Sequence, residues 1–138
     1  MKFSITLYTL NIILLLLTAC ESDQELGGGY YYLPDYEAKD IGYPNGAVIY
    51  KSENKYVFSK IVITDKVVAV DRGDDFILVI QIPSDSLIDK TGKTIKTGGL
   101  SYYIIDKNND VVIGPMDKNA FLKSRDKLGV PEDMEVIY

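Results

Sequence analysis

Phe76-Ile77-Leu78-Val79-Ile80 is a run of five apolar residues, and its reading decides the fold. Successive side chains on a strand point to opposite faces, so a strand without a polar position needs cover on both sides. Asp75–Ile82 therefore reads as a central strand. Just before it, Arg72-Gly73-Asp74 has the composition of a tight hairpin turn, which makes Lys66–Asp71 its antiparallel neighbour.

Outward from this pair, the chain from Tyr30 onward is rich in Tyr, Val, Ile and Thr, with turn residues at short intervals. That is strand composition. Further strands are expected at Tyr30–Leu33, Ala47–Lys51, Lys55–Thr64, Leu100–Asp106 and Asp110–Gly114, the last two joined by Lys107-Asn108-Asn109. Pro83–Gly99 is polar and reads as an excursion or short irregular hairpin, with Asp89-Lys90-Thr91-Gly92 as its turn. One helix stands out. Asp117 is its expected N-cap, Phe121, Leu122 and Leu128 form its apolar stripe, Gly129 suits a left-handed C-cap and Pro131 stops continuation. Lys118, Lys123 and Lys127 should face solvent. Met134–Tyr138 is expected to add a last short strand or to trail along the surface. The fold class is mainly β (α+β): an antiparallel meander sheet with one C-terminal helix packed on it.

The first 19 residues differ in kind. Lys2 supplies a positive start, and Ile5–Leu17 is apolar apart from Thr6, Thr9 and Asn11. As a helix this stretch would span roughly 20 Å, short of the ~30 Å hydrocarbon core, so it suits an export leader better than a membrane span. It ends in Leu17-Thr18-Ala19-Cys20, and Cys20 is the single cysteine of the chain. A hydrophobic segment closing on small residues and a lone cysteine resembles the lipobox of bacterial lipoproteins. An ordinary secretory leader with an incidental thiol is the plainer alternative.

The lipobox resemblance implies cleavage between Ala19 and Cys20, with a diacylglycerol on the Cys20 sulfur and an acylated amine, palmitate among the chains. Two or more acyl chains are what stable anchoring requires. Such a protein is membrane-attached through lipid and sits in the cell envelope outside the cytosol. The place implied is the outer membrane, surface-exposed or periplasmic, or the outer face of the cytoplasmic membrane. With its thiol acylated, the mature chain gains nothing from disulfides.

Without residues 1–19 the chain keeps 119 residues, a normal size for one domain. Glu21-Ser22-Asp23-Gln24-Glu25-Leu26-Gly27-Gly28-Gly29 is charged and glycine-rich, so Cys20–Gly29 is expected to be a flexible lipidated tether and 30–138 a single β-rich domain. The acids beside Cys20 also resemble a surface-export signal of some Gram-negative lineages, a solvated linker being the alternative. Leaving out Lys2, 14 basic and 20 acidic residues remain. That acidity argues against nucleic acid and against a basic patch on anionic headgroups.

A second resemblance lies near the C-terminus. Tyr102-Tyr103-Ile104-Ile105-Asp106-Lys107, then Gly114-Pro115, Phe121 and Leu128-Gly129-Val130, resemble the pattern of small bacterial lipoproteins of the DUF3997 type, with Tyr103 standing where Trp is expected. These are hairpin, cap and core residue types, so the likeness concerns shape. It implies no activity.

The chain contains no His, which removes Ser-His-Asp and Cys-His triads and the usual zinc sites; no cofactor or metal is implied. Carboxylate chemistry survives. Asp71, Asp74 and Asp75 cluster at one hairpin, and a glycan hydrolase needs two carboxylates about 5–10 Å apart. Solvated turn acids are far commoner. Asp106-Lys107-Asn108-Asn109-Asp110 opens like a calcium loop, but Val111 stands at the glycine position and Asp117 at that of the bidentate Glu. Turn chemistry accounts for it equally well. Arg72-Gly73-Asp74 spells an integrin-binding tripeptide, which its place in a turn explains.

Tyrosine crowds the early domain, at Tyr30, Tyr31, Tyr32, Tyr36, Tyr43, Tyr50 and Tyr56. Phenol rings stack on sugars and make adaptable protein contacts, though Tyr is also an ordinary strand residue. Tyr30–Tyr32 must alternate in direction, so Tyr31 or the Tyr30/Tyr32 pair is expected outside the main core, as a candidate binding surface. A non-enzymatic module that binds a protein or glycan, an immunity or inhibitor role included, is the favoured function. A carboxylate-dependent glycan hydrolase is the alternative.

Overall fold

The computed structural model describes residues 24–64, 66–83, 87–88, 94–95 and 99–138. The chain opens with β1 (Gln24–Gly27) and β2 (Tyr30–Leu33), followed by a one-and-a-half-turn helix α1 (Asp35–Asp40). Strands β3 (Val48–Lys51) and β4 (Lys60–Ile63) complete an antiparallel sheet in the order β1-β2-β3-β4. Next come β5 (Val67–Arg72) and β6 (Phe76–Gln81), then a small separate hairpin of β7 (Leu87–Ile88) with β8 (Thr94–Ile95). Strands β9 (Ser101–Asp106) and β10 (Val111–Met116) join the second antiparallel sheet, ordered β10-β9-β6-β5, and α2 (Lys118–Leu128) closes the order of elements.

Mainly antiparallel β with a C-terminal helix packed on it is thus the observed class. Two features depart from the expected single meander. The strands form two four-stranded sheets, because both β2–β3 and β6–β9 are apolar on both faces and each needs two covers. Tyr30, Ile49, Ile63, Ile77, Val79, Tyr103 and Ile105 interdigitate between the sheets as the central core. On the far side of the second sheet, Leu78, Ile80, Tyr102 and Ile104 lie under Phe121 of α2 and under Val130 and Met134. On the far side of the first sheet, Tyr31, Leu33, Val48 and Tyr50 are covered by Ala38 of α1 and by Phe58 from the β3–β4 loop. The second departure is α1 itself, whose six residues carry no extended apolar stripe to announce it. Ala38 alone is buried there.

Strand ends shift by a residue or two. The β5–β6 turn is Gly73-Asp74-Asp75, closed by the Gly73 amide donating to the Phe76 carbonyl at 2.9 Å. Of Lys55–Thr64 only Lys60–Ile63 is strand, the rest being loop. Pro83–Gly99 does contain a hairpin, while its Asp89–Gly92 turn falls outside the described residues. Helix α2 is capped as its sequence requires: the Asp117 carboxylate accepts from the Ala120 amide at 2.8 Å, and Gly129 adopts the left-handed conformation at φ 69°. Phe121 is buried and Leu128 half-buried, but Leu122 is exposed, because the helix meets the sheet along a stripe narrower than three residues. Lys118, Lys123 and Lys127 face solvent. Met134–Tyr138 forms no strand and trails over the second sheet, with Met134 buried.

Part of the segment expected to be flexible is strand. Gln24–Gly27, expected within the flexible 20–29 segment, pairs with β2, and Leu26 enters the central core. Side chains from the second sheet hold it there: the Arg72 guanidinium donates to the Glu25 carbonyl, and Lys107 Nζ donates to the carbonyls of Leu26 (3.3 Å) and Gly73 (2.6 Å). Local composition could not disclose these partners, which lie 47 and 81 positions away.

Candidate functional site

At one end of the first sheet the β1–β2 turn and the β3–β4 loop enclose an open groove of about 680 Å³. That lies within the usual range for small-ligand sites, about 300–1,000 Å³. One wall is the Gly28-Gly29 backbone, exposed at Gly28 and half-buried at Gly29. Gly29 sits at φ 79°, and a Cβ there would lie 3.0 Å from the Ser52 carbonyl oxygen. Glycine lets the turn approach the loop closely enough for the Ser52 amide to donate to the Gly29 carbonyl at 2.9 Å. The opposite wall is the loop, folded on its own polar groups. The Asn54 amide donates to Ser52 Oγ at 3.2 Å, and Ser59 Oγ donates to the Lys51 carbonyl at 3.2 Å.

An aromatic stack carries the floor. Tyr31 lies parallel to Tyr50, with ring centroids 5.1 Å apart, and Phe58 meets Tyr50 edge-on at 5.0 Å. Both are favoured aromatic geometries, and they pin the loop to the sheet through Phe58. In the same loop Tyr56 and the lining residue Val57 are exposed at 60% and 50%, and Tyr56 holds the left-handed conformation at φ 68°. Strain of about 1–3 kcal/mol at a non-glycine residue persists only where its surroundings enforce it. Lys55 Nζ lies 5.1 Å from the centre of the Tyr56 ring.

Charges of both signs line the groove: Lys51 and Lys60 against Glu25 and Glu53. Lys51 is engaged. It pairs with the Asp110 carboxylate and sits 5.1 Å above the Tyr30 ring. The hydrogen bond from Lys51, then that from Tyr30, holds the Asp110 carboxyl below the usual carboxylate range. Burial, with the hydrogen bond to and the charge of Asp110, drives the Tyr30 hydroxyl pKa up; burial, with the charge of Asp35, does the same for Tyr32.

The tyrosine triplet is placed differently from expectation. Tyr30 belongs to the central core and Tyr32 packs half-buried against it, while Tyr31 is buried on the opposite face at the groove floor. The three therefore form no exposed surface. The first sheet is covered on both sides, so alternation moves a side chain from one core to another instead of out to water. Of the triplet only Tyr31 borders the groove. Ala19 and Cys20 lie outside the described residues.

The acids read as possible chemistry serve the fold. Asp71 accepts from the Arg72 amide at 2.9 Å and the Glu135 amide at 2.8 Å, tying the C-terminal tail to β5. Asp75 accepts from the Asn108 side chain at 2.9 Å, and Asp74 is exposed. Asp106 accepts the Asn108 and Asn109 amides, both at 3.0 Å, and the Asn109 side chain at 2.7 Å. These bonds, the Asn109 side chain foremost, lower the Asp106 carboxyl pKa. The Asp106–Asp110 segment is a self-satisfied turn whose end carboxylates already have donors. Among the described residues no group of three or more carboxylate, His or Cys side chains is arranged to hold a metal ion. In the Arg72-Gly73-Asp74 tripeptide, Arg72 is committed to β1.

The groove is what sequence reasoning missed, because Lys55–Thr64 reads as strand. The signal lay just upstream: Ser52-Glu53-Asn54-Lys55 is a turn-forming cluster that lifts the chain out of the sheet.

A family model described as a protein of unknown function (DUF3997) matches residues 29–138. No curated protein and no solved structure matches the chain.

Proposed function

Because the chain belongs to the DUF3997 family, whose function is unknown, we propose a role from its own residues: a lipid-anchored bacterial envelope protein that binds a partner without transforming it. The observation that carries this reading is Leu17-Thr18-Ala19-Cys20, which closes an apolar leader and holds the single cysteine. An acylated Cys20 would supply the attachment; among the described residues no helix is long and apolar enough to cross a membrane.

Strand β1 begins four residues after Cys20, a distance of at most about 14 Å for an extended chain. The anchored domain would thus sit close to the lipid with the start of β1 toward it. Gly28, Ser52 and Lys60 lie at the other end of the first sheet, so in the anchored protein the groove would lie at the end away from Cys20. Binding is the reading its composition favours: hydrogen-bonding groups surround an aromatic floor. The glycan hydrolase alternative gains no support, since Asp71 and Asp75 are each tied to a different backbone or side-chain donor instead of facing one another across a cleft.

Labelled palmitate tests the anchor. Cells producing the chain should incorporate label into it, and Cys20→Ser should abolish both the label and the membrane association. A Cys20→Ser variant that stays membrane-bound contradicts the proposal.

A further inference from the structure

We propose that the groove binds a neutral oligosaccharide, an assignment that rests on the binding reading and names its ligand. The Tyr31 hydroxyl carries the argument. Tyr31 is only 7% exposed and lines the groove, and among the described residues its hydroxyl has no hydrogen-bond partner. Buried phenols normally find a partner in protein or water, so this hydroxyl is a hydrogen-bonding group that a ligand in the groove can engage.

The rest of the lining defines that ligand. Two lysines and two glutamates leave the groove without net charge, which disfavours a polyanion or polycation. After their bonds within the loop, Ser52 Oγ can still donate, Ser59 Oγ can still accept, and the Asn54 side-chain amide can do both. A polyol matches such a set, because every hydroxyl both donates and accepts. Tyr56 precedes the lining residue Val57 in the same loop and is 60% exposed, so the ring face not covered by Lys55 is open to the C–H side of a sugar.

A peptide fits less well. Val57 is the single aliphatic side chain in the lining, which leaves little for a peptide's apolar anchors. Strand addition to β1 meets the Glu25 and Leu26 carbonyls already engaged by Arg72 and Lys107.

The test uses the full-length chain in a sugar-free detergent, titrated with neutral chito-, malto- and cello-oligosaccharides and with uronate oligomers. At least one neutral series should bind, and more tightly than the uronates. Tyr31→Phe keeps the ring stack and removes the hydroxyl; it should weaken binding by about tenfold, the value of one hydrogen bond. Asn54→Ala should weaken it comparably. An unaltered circular dichroism spectrum shows that each variant is folded. No binding by any neutral series, tighter binding of uronates, or unchanged affinity in both variants overturns the assignment. Palmitate labelling keeps the two readings apart. A labelled chain that binds no saccharide loses the ligand and keeps the anchor, and an unlabelled chain that binds one does the reverse.

Discussion

The Tyr30 hydroxyl donates a 2.7 Å hydrogen bond to the Asp110 carboxylate across 80 positions of chain. Tyr30 lies on β2 of the first sheet and Asp110 ends the β9–β10 turn of the second, so this bond stitches the two layers at their groove end. Lys51 of β3 binds the same carboxylate. Tyr30→Phe should lower stability by about 1 kcal/mol, the usual net value of one hydrogen bond, because Asp110 keeps its lysine. Urea unfolding measures it. A midpoint unchanged in Tyr30→Phe would mean that water replaces the tyrosine at no cost.

Acid should loosen the same corner. Hydrogen bonds hold the carboxyls of Asp106 and Asp110 below their ordinary range. Groups depressed in this way contribute stability fully above the unfolded value, near pH 4, and lose it as pH falls through the lower folded values. Urea midpoints should therefore drop on acidification below pH about 4. Asp106→Asn keeps an acceptor oxygen and cannot titrate, so its stability should fall less steeply over that interval. Parallel curves for the two proteins would remove Asp106 from the acid response.

Gly114 stands where β10 bulges away from β9, between Ile113 and Met116. Its φ is 135°, and a Cβ there would lie 2.6 Å from the Tyr102 carbonyl oxygen and 2.7 Å from the Tyr103 ring. Backbone strain and the clash act together, so Gly114→Ala should cost about 2–3 kcal/mol. Gly42 is also at positive φ, 96°, but a Cβ there meets nothing within 4 Å. Gly42→Ala should cost only the conformational part, and the difference between the two midpoints isolates the clash.

Phe121 and Leu122 are adjacent, apolar and opposite in role. Phe121 is 3% exposed against Tyr102, with ring centroids 5.0 Å apart, whereas Leu122 is 45% exposed. Phe121→Ala should destabilise by about 3–5 kcal/mol and Leu122→Ala by about 0.5 kcal/mol or less. Thermal unfolding of the pair separates them. Equal losses would mean that α2 docks by a different face.

The sequence by itself determined whatever depends on a residue and its near neighbours. Phe76–Ile80 had to be a strand with cover on both faces, since alternation leaves it no polar side. Asp117 and Gly129 had to end α2, because one offers an acceptor to a free amide and the other accepts a left-handed turn. Only the tertiary structure decided what covers what. Whether β2 faces water or a second core depends on α1 and on Phe58, which no local pattern assigns to it. Leu26 reads as linker until Arg72 and Lys107 arrive from 47 and 81 positions away to satisfy the strand's carbonyls. The groove belongs to the same class: Gly28-Gly29, Tyr31 and Ser52–Lys60 become one site because sheet register sets them side by side.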